Sequence, residues 1–136
     1  MPAAKRTLVL SLLPEIFAIC RLAPDAAVPE WATQGQFFSI TRTSEELSVI
    51  AEAASVPERL RTEVSWRVLK VHGPFAFTEV GVLASLVGPL AAAGVSVFTI
   101  STFDTDYLLV HSSQLREAVA ELRNAAHTVH EVKTIS

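Results

Sequence analysis

With 136 residues, half of them hydrophobic and 18% charged, the chain has room for one domain or for two small ones that share a core. A net charge of −3 with scattered Lys and Arg gives no basic stripe, which argues against a nucleic-acid surface. No run approaches the roughly 20 apolar residues that a membrane-spanning helix needs, and a lone cysteine, Cys20, excludes an internal disulfide and fits a reducing cytoplasm.

Lys5-Arg6 followed by Thr7 to Leu13 superficially looks like the start of a secretory signal, but Pro14-Glu15 interrupts the apolar run after seven residues. The run therefore reads as a strand, Leu8 to Leu13, with a second from Glu15 to Leu22. Pro24 to Gly35 leaves space for only a short helix. Gln36 to Arg42 and Glu46 to Glu52 read as a strand pair, and Ser55 to Arg61 holds at most two helical turns, with Pro57 near their start. Arg61-Thr62-Glu63 is a polar linker, so the expected units are 1–62 and 63–136.

The second half is more regular. Trp66 to Val71 is rich in β-formers and is stopped by His72-Gly73-Pro74. Beyond Thr78, read as an N-cap, Leu83, Leu86, Val87 and Leu90 recur at helical spacing up to Gly94. Pro89 lies inside that helix. Its missing N–H would leave the Ser85 carbonyl without a partner, so a kink or break is expected there. Val95 to Ser101 and Asp106 to His111 read as strands joined by a short turn. Leu115, Val119, Leu122 and Ala126 mark a second helix, and Thr128 to Ile135 a last strand. The order is βαββαβ.

The halves repeat. At a separation of sixty residues Phe38-Ser39-Ile40-Thr41 matches Phe98-Thr99-Ile100-Ser101, Glu46 matches Asp106, and Val49-Ile50 matches Leu109-Val110. Such a period means two copies of one small unit, with the first copy's helices shortened. The fold class is therefore α/β (α+β): two ferredoxin-like units in tandem, with antiparallel sheets and helices on one face.

Signals for catalysis are weak. His127 and His130 stand three apart with only Glu131 beside them, which does not complete a metal site, and no metal or cofactor is expected. His72 and His111 read as strand-end residues and Cys20 as a small buried hydrophobe. No Gly-x-Ser-x-Gly elbow or phosphate-binding glycine loop is present. Polar groups do converge at two element ends, Phe77-Thr78-Glu79-Val80-Gly81 and Ser101-Thr102-Phe103-Asp104-Thr105-Asp106. Glu79 is placed in the first helical turn, where the helix dipole favours a carboxylate. Gly81 weakens a helix and suggests a close approach to the backbone. Asp106 either closes the turn or contacts a ligand.

These blocks resemble the ACT-domain superfamily of small-molecule sensors, specifically the aspartokinase-type tandem ACT proteins. That group includes bacterial stand-alone members and animal arginine sensors of the TOR pathway. The resemblance runs from Leu13-Pro14 through Trp31, Phe38 to Thr41, Glu46-Leu47-Ser48, Trp66 and Gly73 to the two specific blocks. It implies a non-catalytic regulatory protein binding a free amino acid, arginine or another cationic one, at an ACT–ACT interface. Carried over from the arginine-sensing relatives, Phe77, Thr78, Glu79, Val80, Gly81 and Val82 together with Ser101, Thr102, Phe103, Asp104, Thr105 and Asp106 line the pocket. Glu79 and Asp106 would be its acidic contacts, and Thr102 and Phe103 its backbone ones. Ala76 stands where the arginine sensors have glycine, and two units stand where the animal sensor has four, so a homodimer would supply the missing partners. The protein is expected in the cytoplasm, signalling to a regulated partner protein. A ligand-free interaction module and a small enzyme are the alternatives.

Overall fold

The computed structural model describes residues 7–62, 64–73 and 81–131. Two compact units divide the chain, one containing Glu15–Trp66 and the other the residues up to Pro14 and from Arg67 onward. The expected boundary at 62/63 thus lies close to the return point, but the first strand, expected in the first unit, belongs to the second. Pro14 marks the crossing.

In the discontinuous unit, β1 (Val9–Leu12) is followed, beyond the inserted unit, by β5 (Trp66–Val71), α1 (Val82–Ala92), β6 (Val97–Ser101), β7 (Asp106–His111), α2 (Leu115–Asn124) and β8 (Thr128–His130). The six elements from β5 to β8 reproduce the βαββαβ order, the first five at nearly the expected bounds; β8 ends at His130, one position before the described residues end. β7 lies between β5 and β6. On the other side of β5, β1 pairs antiparallel, Leu10 against Val71 and Leu12 against Leu69. It also pairs parallel with β8, Val9 against Thr128 and Ser11 against His130. β1 therefore occupies the position next to β5 that the last strand holds in a simple ferredoxin-like sheet. The cause is in its sequence: Leu8, Leu10 and Leu12 alternate inward, at period two, onto the core. There they meet Leu69, Val71, Leu108 and Val110 from the sheet and Leu86, Leu90, Val119 and Leu122 from the helices. Leu10, Leu86, Leu90 and Leu122 have no exposed surface, each burial being worth about 1.5–3 kcal/mol.

α1 is not broken at Pro89. Both helices stop in the same way. Gly94 (φ +77°) returns its N–H to Ala91 and Val95 to Leu90, while Ala126 (φ +72°) returns its N–H to Arg123 and His127 to Leu122. These are Schellman closures, which require a left-handed residue after the cap.

In the inserted unit, β2 (Phe17–Leu22), β3 (Ser39–Arg42) and β4 (Leu47–Glu52) form antiparallel pairs, β4 with both neighbours. The helices expected over 24–35 and 55–61 are 3-10 turns, Glu30–Thr33 and Glu58–Leu60, with a further one at Ala53–Ser55. Pro29 and Pro57, which carry no backbone N–H, stand at the caps of the Glu30–Thr33 and Glu58–Leu60 turns. Ala18, Cys20, Ala32, Leu47, Val49, Ala51 and Val56 make the core, a set of small side chains that suits thin turns rather than full helices.

The duplicated strands lie in antiparallel pairs in both units, as the repeat requires, but their register corrects the alignment by one residue. β4, Leu47–Glu52, corresponds in full to β7, Asp106–His111, and the 3-10 turns that follow, Ala53–Ser55 and Ser112–Gln114, match as well. The step from Leu47 to Asp106 is 59 residues. Thr43 N–H donates to the Glu46 carbonyl (2.9 Å) and Thr102 N–H to that of Thr105 (2.8 Å). The counterpart of Asp106 is therefore Leu47, and that of Glu46 is Thr105.

Candidate functional site

Of the expected contact residues, Phe77, Thr78, Glu79 and Val80 lie outside the described residues, as does Ala76. α1 starts at Val82 with Gly81 at its N-cap, so positions 78 and 79 precede the cap instead of supplying it and the first turn. Gly81 has φ +81° and ψ −2°, and a Cβ built on it would meet nothing within 4 Å. Its glycine thus answers a left-handed backbone among the described residues, not a close approach. The Val82 side chain is 7% exposed and packs in the core, so it is not a ligand-facing group.

The other block, Ser101 to Asp106, is built by hydroxyls. Thr102 Oγ1 donates to the Thr105 carbonyl (3.0 Å) and accepts from the Thr105 N–H (3.2 Å). Ser101 Oγ donates to Asp106 Oδ1 at 2.5 Å, across the last rung of the β6–β7 ladder. Asp106 thus spends one carboxylate oxygen holding the strand ends together, while Thr102 closes the turn. Phe103 stands at the tip, 78% exposed. Thr105 is 7% exposed, and its hydroxyl donates to the Val71 carbonyl, which ties the turn to the end of β5.

That tie forms a cavity of about 260 Å³ lined by Lys70, His72, Gly73, Asp104 and Thr105. Sequence reasoning missed Lys70 and His72, because what brings them to the turn is the nonlocal Thr105–Val71 bond. The strand-end reading of His72 holds as far as it went. Ser11 lies directly opposite Lys70 in β1, and its Oγ meets His72 Nε2 at 2.6 Å. A serine oxygen and an imidazole at that distance are one component of a nucleophilic dyad. Among the described residues no cluster of His, Cys, Asp and Glu suited to a metal occurs. His127 is buried away from His130, 5% exposed, with both ring nitrogens hydrogen-bonded to Leu8 and Ser85. Cys20 is buried and its thiol reaches toward the Leu60 carbonyl (3.8 Å), and burial pushes the thiol's pKa up.

The fold and this turn define a class, that of ferredoxin-like α/β modules with a small polar cavity at a hairpin end. A model of the ACT domain matches residues 61–124, and a model of an N-terminal domain matches 15–59, close to the inserted unit. Over residues 61–124 the chain carries an ACT domain. It is similar to a crystallised protein of Agrobacterium tumefaciens, at 38% identity with a TM-score of 0.88, over 94% of this chain and 96% of that one. It is also similar to the cytosolic arginine sensor for mTORC1 subunit 1 of Rattus norvegicus, at 32% identity over 104 residues, 65% of this chain and 31% of the sensor. The chain thus spans under a third of that relative. Aspartate kinase of Clostridium acetobutylicum shares the fold alone, at a TM-score of 0.59 and 10% identity over 82% of this chain and 33% of the kinase.

Proposed function

We propose that this protein is a non-catalytic regulatory module that binds a free amino acid at the hairpin end of its discontinuous unit. The observation that carries this reading is the cavity beside Asp104 and Thr105, which falls at the turn where the family resemblance expects ligand contacts. Residues 77–81, a few positions beyond Gly73 in sequence, supply further contacts in this reading. Similarity to an arginine sensor makes arginine, or another cationic amino acid, the first candidate. An ACT unit of a second copy completes the pocket. The homodimer is supported by low charge content and by β3 and β6, which each pair on one side only among the described strands. The protein acts in the cytoplasm on a partner that reads its occupancy. No described helix is long and apolar enough to cross a membrane.

A thermal-shift screen against the free amino acids tests the reading. A ligand at a hundred times its Kd stabilises the fold by roughly 2.7 kcal/mol, or several degrees in Tm. A flat response to all twenty at millimolar concentration overturns it and leaves a ligand-free interaction module.

The Ser11–His72 contact favours a second reading, a small serine hydrolase. Against it, the other ring nitrogen of His72 has no acceptor among the described residues, so no third group orients the imidazole. Ser11 also lies within a strand rather than on an exposed turn. Labelling of wild type by a fluorophosphonate, abolished in Ser11→Ala, would establish the hydrolase instead.

A further inference from the structure

The two carboxylates of the β6–β7 turn are in different situations. Asp106 is half-buried and accepts a 2.5 Å hydrogen bond from Ser101, so part of its capacity is already used inside the fold. Asp104 is exposed, lines the cavity, and has no side-chain partner among the described residues. Lys70 lines the same cavity from β5, half-buried, and its ammonium likewise has no partner among the described residues. The two opposite charges face one small space without forming an ion pair. A lone anion entering it meets Asp104 as a like charge, and a lone cation meets Lys70. A group carrying both charges satisfies each wall at once.

We infer that the Lys70–Asp104 cavity takes the zwitterionic head of an α-amino acid, the ammonium on Asp104 and the carboxylate on Lys70, while Asp106 holds the shape of the turn. This rests on the amino-acid reading above and assigns the two charges of the ligand to named side chains. Two bonds hold the backbone on either side of the cavity. Thr105 to Val71 fixes the turn, and with it Asp104, against the end of β5, and Ser11 holds the His72 ring beside Lys70. Binding therefore orders only the two side chains and not the backbone that carries them. The cavity is at the small end for ligand sites, which suits a head group whose side chain extends outward.

The test is calorimetric titration of the full chain with each of the twenty L-amino acids, followed by the decarboxylated amine and the deaminated acid of the tightest binder. For arginine these are agmatine and 5-guanidinopentanoate. The amino acid is expected to bind about tenfold or more tightly than either analogue, the scale of one charge-assisted hydrogen bond. Lys70→Met should weaken the amino acid by a similar factor and leave the amine's affinity in place. Asp104→Asn should weaken the amino acid and the amine, and weaken the amino acid more than Asp106→Asn does. Circular dichroism establishes that each variant is folded. If an amino acid binds wild type, Lys70→Met and Asp104→Asn alike, this inference falls while the amino-acid reading stands. If none of the twenty binds, both fall. Equal affinity for the amino acid and its decarboxylated amine also overturns the zwitterion assignment.

Discussion

His127 supplies the hydrogen that Pro89 withholds from Ser85. In an unbroken helix the N–H of residue 89 would bond the carbonyl of residue 85. Here the imidazole Nε2 donates to that carbonyl at 2.9 Å, while Nδ1 accepts from the Leu8 N–H at 3.1 Å. The two bonds fix the neutral Nε2–H tautomer. Three distant segments, the residue before β1, α1 and the turn that follows α2, meet at one ring.

His127→Leu preserves bulk but strands a buried carbonyl and a buried N–H, and should cost roughly 2–4 kcal/mol. Pro89→Ala restores a backbone donor to Ser85. In a double-mutant cycle followed by urea unfolding, Pro89→Ala should therefore stabilise the His127→Leu protein by about 1 kcal/mol more than it stabilises wild type. Additive effects would show that the histidine does not replace the missing donor.

The two Schellman closures make a second comparison. Gly94 adopts φ +77° freely, but Ala126 holds φ +72° with a Cβ in the way. Ala126→Gly should raise stability by about 1 kcal/mol, less whatever the unfolded chain gains in freedom. The readout is the urea midpoint at unchanged m-value, and a lower midpoint contradicts the prediction.

Gly81 presents the converse case. With φ +81° and open space where a Cβ would stand, Gly81→Ala meets only backbone strain and should cost about 1 kcal/mol. Gly81→Asn should cost less, because asparagine tolerates the left-handed region better. If alanine and asparagine were equally costly, a steric neighbour rather than the dihedral would be responsible.

Burial of Cys20 gives a pH dependence of definite sign. Its folded-state pKa lies above the ordinary value of 9.0, so above that pH the unfolded chain loses the thiol proton before the folded one does. The stabilisation is complete below 9.0 and is lost as pH rises toward the folded value. Cys20→Ala should therefore show a shallower fall of Tm between pH 8 and 10 than wild type, and identical slopes would remove the claim.

Local signals in the sequence were sufficient for much of the discontinuous unit. Trp66 to Val71 and Asp106 to His111 are bounded by turn residues and filled with β-formers, and both strands have those limits. The helix runs unbroken through Pro89, and the group that replaces the lost donor, His127, was not legible because it comes from 38 residues further along the chain. The repeat was set one residue out for a different reason. Val49, Ile50 and Ala51, like Leu108, Leu109 and Val110, are apolar on both faces of their strands and all buried, so no alternation distinguishes neighbouring registers. The turn threonines, Thr43 and Thr102, carry the correct register, but two hydroxyls weigh little against six aliphatic side chains. At the candidate site, Asp104 and Thr105 were legible as turn residues, whereas Lys70 was not, because only the Thr105–Val71 bond makes it their neighbour.

The place of β1 sets an order on synthesis. Leu8 and its partner His127 are 119 positions apart, and β1 lies between strands made long after it. The inserted unit, Glu15–Trp66, is continuous in sequence and can form as soon as it emerges. The cavity-bearing unit cannot close until its last strand exists. During translation its leucine-rich first strand stays an unpaired template until then, and closing that longest loop is an entropic cost that this topology builds into the unit.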